Sequence, residues 1–552
     1  MKALYYGDNL QVLRDSVEAE TIDLIYLDPP FNSSATYNVL FRSPAGDESQ
    51  AQIEAFEDTW HWTDEAERAF DEAMHSGNTG AADLLNAMRS FLGENDMMAY
   101  LTMMAVRLLE LHRVVKPTGS LYLHCDPTAS HYLKTLMDAV FGPQLFKNEI
   151  IWKRTFAHGS AVRWGDVHDV ILFYSKSTKY TWNKPLQAHD EQYLDNKYRH
   201  HDERGRYRLV VLTGSGIRQG ASGEPWRGYN PTESSRHWAV PRRALATLEE
   251  EGIDIPEELH EQLELLFEHG FIRFPRKSDG SIGVPEFKLY LAEGQPVQDV
   301  ILDIPPINSR ARERLGYPTQ KPTALLERIL EASSSEGDLV LDPFCGCGTT
   351  IHAAQKLGRN WIGIDVTHLA ISLIEKRLND AFPGISFEVH GTPKDLEGAR
   401  ALAEFDKYQF QWWAVSLVNA VPVGGKKKGA DQGIDGVIYF KPDGKKTERA
   451  VVSVKGGRNV SVAMIRDLKG VMQRENSPMG LFVTLANPTA PMKKEAASAG
   501  VLDTPFGKYT RLQILTIEDL FAGRNPAMPP QDLAAFKKAA REEDKTRQGR
   551  LI

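Results

Sequence analysis

Cysteine is scarce in this sequence, and long apolar runs and triphosphate-binding loops are missing. Three cysteines (Cys125, Cys345 and Cys347) among 552 residues are too few for a disulfide scaffold, so the sequence predicts a protein of the reducing cytoplasm. No apolar run approaches the ~20 residues of a membrane-spanning helix. Residues 1–6 lead directly into a strand pattern, so we expect no signal peptide. The pattern Gly-x-x-x-x-Gly-Lys-Ser/Thr is also absent, which excludes a P-loop ATPase.

The composition is that of a globular protein with several domains. Hydrophobic residues make up 42% and charged residues 25% of the chain, which is ordinary for a soluble protein. At roughly 100–200 residues per domain, the length predicts about three units. The net charge is −9, so any nucleic-acid surface would be a local basic region on an acidic protein.

Strand and helix patterns alternate along much of the chain. The first 40 residues read as strand, helix, strand and turn, and residues 45–110 are predicted to be helical. Further strand patterns occur at 120–124, 169–174, 339–342 and 361–365, and helical patterns at 322–332 and 349–357. This alternation predicts an α/β fold with a parallel sheet.

Two further regions differ from this pattern. Residues 180–310 are rich in Arg, Trp, Tyr, Gly and Pro, with one amphipathic helix predicted over 256–270. Arginine can read guanine and aromatic rings can stack on bases, but a loop-rich insertion with solvated charges has the same composition. A third unit is predicted from about residue 400, with strands at 436–439, 451–454 and 480–485, a helix at 462–474 and a charged helical tail after Pro529.

The glycine-containing segment at 338–350 indicates a cofactor site. An apolar strand ends at Asp342, a turn carries Gly346 and Gly348, and a helix follows from Thr349. Glycines let a backbone approach a ligand closely, and the helix start offers free N–H groups. The next strand ends at Asp365, 23 residues after Asp342, where a carboxylate can accept both hydroxyls of a ribose.

Other interpretations of this segment are a tight turn without ligand and a nicotinamide site. A nicotinamide site usually has a third glycine for the pyrophosphate, which is missing here. Cys345 and Cys347 have no nearby His or Cys partners for zinc, so we interpret them as small turn residues.

A second motif, Asp28-Pro29-Pro30-Phe31, follows a buried strand pattern. It is therefore expected at a carboxyl edge of the sheet, where open α/β folds bind ligands. Alone it would be a rigid loop, but a separate cofactor motif in the same chain favours a functional interpretation.

Together these motifs resemble the β class of amino-group DNA methyltransferases. The resemblance covers residues 1–180 and 310–390, and in that family the catalytic motif precedes the cofactor motif, with a target-recognition region between them. The matching segments are Gly7-Asp8-Asn9, Asp28-Pro29-Pro30-Phe31-Asn32, Gly316–Pro322, Asp342–Thr350 and Gly363-Ile364-Asp365.

The resemblance implies a Rossmann-like sheet with permuted motif order that binds S-adenosyl-L-methionine. It implies that Asp8 lies near the cofactor or target base, that Gln320 and Lys321 pack at the cofactor pocket with Phe344, and that Asp365 binds the ribose. Asp28 and a proline carbonyl would accept the two N–H bonds of an exocyclic amine, and Phe31 would stack on the flipped base. The tetrapeptide begins with aspartate, as in adenine-N6 enzymes, and cytosine-N4 stays open as the alternative.

Residues 405–525 resemble the Mrr-like branch of the PD-(D/E)xK nuclease fold. Asp435 matches the first acid and Lys455 the lysine, and the resemblance implies a Mg²⁺ site there. Ser453 occupies the middle position, where serine is a weaker ligand for a hard cation than a carboxylate. An active nuclease, a DNA-binding module without cleavage and an unrelated α/β domain are the three interpretations; Gly456-Gly457-Arg458 and Lys426-Lys427-Lys428 are candidate phosphate contacts.

The resulting hypothesis is a site-specific DNA methyltransferase of a restriction-modification or phage-defence system. Its expected parts are catalytic (1–180), target-recognition (181–310), cofactor-binding (311–395), nuclease-like (400–525) and tail (526–552) segments. The expected partner is double-stranded DNA, with a homodimer or defence-system subunits as further options and no membrane. A nuclease-first enzyme and a DNA-binding subunit of a multi-chain complex are the alternatives.

Overall fold

The computed structural model describes residues 1–30, 36–42, 48–57, 61–155, 163–308, 311, 313–315, 317, 319–423, 433–532 and 541–542. Residues 184–297 form a compact unit that is separate from the rest of the chain. Within the described ranges, no helix is both long and apolar enough to cross a bilayer.

The amino-terminal part begins as strand, helix, strand, as the sequence predicts. Its elements are β1 (Lys2–Tyr6), α1 (Asn9–Ser16), β2 (Ile22–Leu27), β3 (Thr36–Arg42), β4 (Glu48–Glu57), α2 (Asp64–His75), α3 (Thr79–Leu92), α4 (Asp96–Val114), β5 (Val115–Cys125), α5 (Pro127–Phe141), β6 (Phe146–Lys153) and β7 (His168–Ser175).

The expectation of helix throughout 45–110 is wrong at its start. Strand β4 occupies Glu48–Glu57 and pairs antiparallel with β3; helices begin only at Asp64. The alanines and glutamates of this stretch have high helix propensity. Ala51, Ile53 and Ala55, however, recur with the period of two that is typical of a strand. Strand pairing overrides the local propensity here.

Residues 184–297 form a unit around their own core. Its elements are β8 (Leu186–Gln187), α6 (Glu191–Lys197), β9 (His200–Asp202), β10 (Gly205–Val211), β11 (Thr213–Ser215), β12 (Arg236–Trp238), α7 (Arg242–Glu250), α8 (Leu259–Glu268), β13 (Ile272–Arg273), β14 (Glu286–Tyr290) and β15 (Gln295–Pro296). Trp226, Trp238 and Phe271 are buried among leucines of α7 and α8. The predicted helix at 256–270 corresponds to α8.

The chain then returns to the main sheet and continues into the carboxyl-terminal part. The returning elements are β16 (Val300–Ile301), α9 (Thr323–Ser333), β17 (Leu339–Asp342), α10 (Thr349–Lys356), β18 (Asn360–Asp365), α11 (His368–Ala381) and β19 (Glu388–His390). The last group is α12 (Leu396–Phe405), α13 (Lys407–Leu417), β20 (Val421–Pro422), β21 (Gly436–Phe440), β22 (Glu448–Lys455), α14 (Val462–Arg474), β23 (Met479–Thr484), α15 (Ala490–Ala497), β24 (Val501–Thr504), β25 (Gly507–Thr510), β26 (Leu512–Thr516) and α16 (Ile517–Phe521).

Nine of the described strands form the main sheet, in the order β16-β6-β7-β5-β2-β17-β18-β1-β19. Among these strands only β7 runs antiparallel to its neighbours. Helices α2 to α5 contribute to the core on one face, and α9 to α11 contribute to the core on the other. The predicted α/β fold with a Rossmann-like, largely parallel sheet is confirmed.

This strand order explains how distant segments meet. Strand β2 pairs in parallel with β17, with Leu24 opposite Val340, so both strands end at the same edge of the sheet. Asp28 follows β2 and Asp342 ends β17. Residues separated by more than 300 positions therefore lie side by side.

The carboxyl-terminal part has a five-stranded sheet in the order β20-β21-β22-β23-β26 within the described residues. It also contacts the main sheet through Tyr6, which packs against hydrophobic clusters of both parts. The ring of Tyr6 stacks on His368 with 3.6 Å between centroids. The N–H of His368 donates to Oε1 of Gln409 on α13 at 3.2 Å. The described tail residues are too few to test the predicted tail helix.

Candidate cofactor and catalytic site

A cavity of about 340 Å³ opens at the carboxyl edge of the main sheet. It lies where the ends of β1, β2, β17 and β18 converge, the position at which open α/β sheets bind ligands. Its walls are mostly apolar with a few polar groups, as in small-molecule sites. The predicted site residues among its lining are Asp8, Asp28, Pro29, Pro30, Gln320, Lys321, Asp342, Phe344, Gly346, Thr349 and Asp365.

Asp28 presents one carboxylate oxygen to a partner and leaves the other unpartnered. Its Oδ2 accepts a hydrogen bond from Lys321 Nζ at 2.5 Å. Its Oδ1 is buried and has no hydrogen-bond partner among the described residues. A buried acceptor without a donor is costly, so this oxygen is suited to a ligand N–H. Phe31, the last residue of the predicted motif, lies outside the described residues.

The glycine turn after β17 has the backbone conformation that glycine permits. Gly346 and Gly348 have φ values of +48° and +71°, in the left-handed region that disfavours side chains. A Cβ on Gly348 would lie 2.7 Å from Ile374 Cγ1. Gly348 is the N-cap of α10 and has no side chain to cap it, so the first N–H groups of α10, beginning at Thr349, lack a side-chain cap there. Cys345 and Cys347 are buried free thiols.

Asp365 is tied to this turn. Its Oδ2 accepts the N–H of Gly346 at 3.0 Å, and its Oδ1 accepts both the N–H and the hydroxyl of Thr367 at 2.9 and 2.8 Å. Burial raises the pKa of Asp365 to about 6, although these hydrogen bonds oppose the shift. The end of β18 and the turn after β17 thus form one hydrogen-bonded wall.

Asp342 is buried beneath the same wall. Its Oδ1 accepts the N–H of Phe344 at 3.1 Å. Burial raises the pKa of Asp342 to about 7, while hydrogen bonds from Thr350 and Phe344 lower it and the charge of Asp28 raises it further. Asp342 therefore stabilises the turn through its hydrogen bonds with Phe344 and Thr350.

Asp8 has structural partners in addition to its place in the cavity. Its Oδ1 caps α1 by accepting from the N–H groups of Leu10 and Gln11. Its Oδ2 pairs with Arg107 Nη2 at 2.8 Å. Arg107 is buried, and its Nε donates to Asn9 Oδ1 at 2.7 Å. Desolvation lowers the pKa of Arg107, and Asp8 opposes that shift.

Gln320 and Lys321 have different neighbours, although they are adjacent in sequence. The side chain of Gln320 donates to the carbonyl of Glu313 at 2.6 Å and accepts from the N–H of Leu315 at 2.7 Å. It therefore braces its own loop. Lys321 reaches across to Asp28.

Sequence reasoning missed two groups near the cavity and assigned no role to a third. Arg107 lines it, and Arg377 is buried and donates to the carbonyl of Cys347 at 3.0 Å. Tyr317, within the matching segment Gly316–Pro322, also lines it. The sequence contains one signal for Arg107, because this residue interrupts an otherwise apolar stretch of α4. The position of Arg377 depends on tertiary packing.

A buried polar chain runs across three neighbouring strands next to Asp28. The hydroxyl of Tyr26 on β2 bonds to Nδ1 of His124 on β5 at 2.7 Å. Nε2 of His124 bonds to Asp169 on β7 at 3.1 Å, and Asp169 also pairs with Arg154 at 3.1 Å. Tyr26 lines the cavity. Both ring nitrogens of His124 are therefore hydrogen-bonded within the chain.

Within residues 184–297, several arginines and tryptophans have partners of their own. Arg227 pairs with Glu264, and Arg273 pairs with Glu286 at 2.7 Å. Trp226 is largely buried. A nucleic-acid role for this unit must therefore rest on its remaining exposed groups.

The carboxyl-terminal motif residues come together at the end of β22. Asp435 Oδ2 accepts the N–H of Val454 at 2.6 Å and the hydroxyl of Ser453 at 3.4 Å, and Lys455 Nζ lies 4.0 Å away. No group of three or more metal-ligating His, Cys, Asp or Glu side chains occurs in the described part of the chain. This donor set supplies one carboxylate and does not fit a two-acid Mg²⁺ site.

Of the neighbouring candidate phosphate contacts, only those at 456–458 lie within the described residues. Arg458 pairs with Glu404 at 2.9 Å and is mostly exposed. Lys426, Lys427 and Lys428 lie outside the described residues.

A doubly wound sheet with an acid-proline-proline turn facing a glycine turn defines a Rossmann-like cofactor-binding protein. The chain belongs to the N6/N4 DNA methylase family, whose model matches residues 22–376, more than half of its length. Residues 402–503 match the restriction endonuclease family represented by the Mrr catalytic domain. Both predicted resemblances are confirmed, and the third interpretation of the carboxyl-terminal part, an unrelated α/β domain, is excluded.

Known relatives are DNA-modification proteins. The chain is 33% identical over 282 residues to the type II methyltransferase M.EcaI of Enterobacter cloacae, covering 50% of this chain and 57% of that protein. It is 26% identical over 372 residues to the Mod subunit of the type III enzyme StyLTI of Salmonella typhimurium, covering 64% and 49%. The chain thus spans about half the length of these relatives.

Among solved structures, TTHA0409 of Thermus thermophilus, assigned as a DNA modification methylase and complexed with S-adenosyl-L-methionine, has 15% identity to the chain. The TM-score is 0.32, and the match covers 70% of this chain and 99% of that protein.

Proposed function

We propose that this chain transfers a methyl group from S-adenosyl-L-methionine to an exocyclic amine of a DNA base, with adenine N6 as the favoured target. One observation carries the proposal: Asp28, whose buried Oδ1 has no hydrogen-bond partner among the described residues, lines the same cavity as the glycine turn at Gly346. An acceptor for an amine and a wall for a cofactor are therefore close enough to serve one reaction.

The residues of the cavity fit the cofactor. Its volume of about 340 Å³ is within the usual range for a small-molecule site. Asp365 would accept the ribose hydroxyls, Phe344 would pack on an apolar part of the ligand, and the start of α10 at Thr349 would face its polar end. When bound, S-adenosyl-L-methionine supplies an electrophilic methyl group.

The catalytic work falls to the turn after β2. An exocyclic amine is a poor nucleophile because its lone pair is delocalised into the ring. Asp28 Oδ1 and the carbonyl of Pro29 would accept its two N–H bonds and stabilise the positive charge that develops on nitrogen. Because the ring of Pro30 fixes its own φ and restricts Pro29 before it, the direction of that carbonyl is preset. We assign Phe31, outside the described residues, to stacking on the flipped base.

Adenine N6 is favoured over cytosine N4 by the aspartate at position 28. This preference comes from the family resemblance. Cytosine N4 is the alternative target.

The DNA-facing parts are proposed from chain position and composition. We assign residues 184–297 to target recognition, since this unit is inserted between the catalytic and cofactor segments. Double-stranded DNA is the proposed partner. A restriction-modification or phage-defence role follows from the restriction endonuclease match at 402–503, and partner subunits would follow the relationship to a Mod subunit.

Two experiments test the proposal. DNA from cells that express the chain is sequenced with base-resolution modification mapping, which reports the modified base and its sequence context; N6-methyladenine at one recurrent site is the expected result. Purified chain is also incubated with duplex DNA and Mg²⁺, with and without the methyl donor. Cleavage would assign a nuclease to the carboxyl-terminal part, and absence of any modified base would refute the methyltransferase proposal.

A further inference from the structure

Lys321 lines the cavity and pairs with Asp28. Its Nζ is 2.5 Å from Asp28 Oδ2, and the two side chains are 9% and 17% exposed. Burial opposes the lowering of the pKa of Asp169, which His124, Lys321 and Arg154 together produce. Lys321 therefore contacts the acid of the catalytic motif directly.

The backbone around Lys321 is fixed from both sides. Gln320 braces the preceding loop through Glu313 and Leu315. After Lys321, Pro322 is the N-cap of α9, and the N–H of Thr323 donates to the Glu313 carboxylate at 3.0 Å. The ammonium group is therefore delivered to Asp28 from a rigid segment.

The pairing divides the two oxygens of Asp28 between two tasks. Lys321 holds Oδ2, and Oδ1 is buried without a hydrogen-bond partner among the described residues. A carboxylate with a fixed plane can aim one oxygen at a ligand N–H, whereas a carboxylate free to rotate cannot.

We propose that Lys321 is a positioning residue that orients Asp28, rather than a ligand of the methyl donor. The proposal rests on the proposed function, since it assigns a role within the same site. The other titratable groups that feel the charge of Asp28 are Tyr26, Cys125, Tyr317 and Asp342. None of these four is a cation, so Lys321 is the group among them that pairs with the carboxylate.

The test compares Lys321→Met and Lys321→Arg with the wild-type full chain. In Lys321→Met we expect kcat to fall on the order of 10²-fold, the loss typical of a misplaced catalytic group. Lys321→Arg, which keeps a cation at this position, should restore much of the lost kcat. Affinity for S-adenosyl-L-homocysteine, measured by calorimetry, should stay within about threefold of wild type.

A second acid–lysine pair, whose acid lies on β2, provides a matched control. Lys116 pairs with Asp23 at 2.7 Å, near the start of β2, whereas Lys321 pairs just past its end. Lys116→Met should leave kcat close to the wild-type value, because the pair that it breaks lies outside the cavity.

The outcomes separate the two levels of the proposal. A wild-type chain that methylates no DNA refutes the proposed function. A wild-type chain that is active, with a Lys321→Met variant that binds S-adenosyl-L-homocysteine more than tenfold more weakly, overturns the positioning role alone. Unchanged kcat in Lys321→Met overturns it too.

Discussion

Asp365 Oδ2 accepts the N–H of Gly346 at 3.0 Å. This hydrogen bond joins the acid at the end of β18 to the glycine turn after β17. A ligand that engages Asp365 is thereby held against the turn. This link has a measurable consequence for cofactor binding.

Replacing Asp365 should weaken cofactor binding in a pH-dependent way. Loss of charge-assisted hydrogen bonds costs about 1.5–3 kcal/mol, so Asp365→Asn should bind S-adenosyl-L-homocysteine roughly 10–100-fold more weakly. Burial raises the pKa of Asp365 to about 6, and the ionised form is the better acceptor. Wild-type affinity should therefore rise as the pH increases through 6, while that of Asp365→Asn should not.

Calorimetric titrations between pH 5 and 8 provide the measurement. Asp303→Asn is the control, because Asp303 pairs with Arg328 at 2.6 Å and does not line the cavity. Equal affinity of wild type and Asp365→Asn at pH 8 would contradict the assignment.

Asp28 should be required for methyl transfer and dispensable for DNA binding. Asp28→Asn loses the charge that stabilises the developing cation, so we expect methylation of duplex DNA to fall by about 10²–10³-fold. Tritium transfer from labelled methyl donor measures the rate, and gel shifts measure DNA affinity.

The matched control is Asp23→Asn on the same strand. Asp23 is also paired with a lysine but does not line the cavity. If both variants lost activity equally, the loss would reflect disruption of β2, and the catalytic role of Asp28 would be refuted.

Ionisation of Asp342 should lower the free energy of unfolding of the ligand-free chain as the pH rises. Its folded pKa is raised to about 7 from an ordinary 3.8. Between these values the unfolded chain has lost the proton that the folded chain retains, so stability falls as pH rises through this window. Above pH 7 the full penalty applies, at most about 4 kcal/mol.

Asp342→Asn removes the ionisation and keeps an acceptor for the N–H of Phe344. We therefore expect its melting temperature to exceed that of wild type at pH 8 and to approach it at pH 5. Differential scanning fluorimetry at both values is sufficient. A difference that does not change with pH would show that ionisation of Asp342 is not the cause.

Gly348 should not tolerate a side chain. Its φ of +71° and the 2.7 Å approach of a Cβ to Ile374 mean that Gly348→Ala combines backbone strain of about 1–2 kcal/mol with overpacking. We expect a lower melting temperature and weaker binding of S-adenosyl-L-homocysteine.

Gly470 in α14 is the control, since a Cβ there meets nothing within 4 Å. Gly470→Ala should be neutral or slightly stabilising, because alanine favours a helix. Comparable losses in the two variants would indicate a general intolerance of glycine replacement.

Asp435 should matter for the carboxyl-terminal part alone. Asp435→Ala leaves the buried N–H of Val454 without its acceptor, a loss of about 1–3 kcal/mol. Limited proteolysis should therefore detect easier opening of residues 402–503, while the rate of DNA methylation stays at the wild-type level. Reduced methylation would mean that the two parts do not act independently.

The α/β fold and the shared sheet edge of the two motifs could be predicted from the strand patterns that precede them. Asp28 and Asp342 each end an apolar strand pattern, and parallel strands place their ends at one edge. The pairing of Lys321 with Asp28 could not be predicted, because it depends on where the loop before α9 crosses the sheet. Arg107 was missed for the same reason.

The helix prediction over the hairpin β3–β4 was wrong for a different reason. Its alanines and glutamates favour a helix locally, and only pairing with a neighbouring strand gives them another conformation. The carboxyl-terminal elements were predicted well, since 462–474 has a clear helical period and coincides with α14.

Tyr6 belongs to hydrophobic clusters of both the methylase sheet and the endonuclease-like part. A recombination event that replaced everything after residue 395 would leave this tyrosine and His368 facing a foreign surface. A module exchanged for the carboxyl-terminal part would keep this contact only if it supplied an apolar surface for Tyr6 and an acceptor, as Gln409 does, for the N–H of His368.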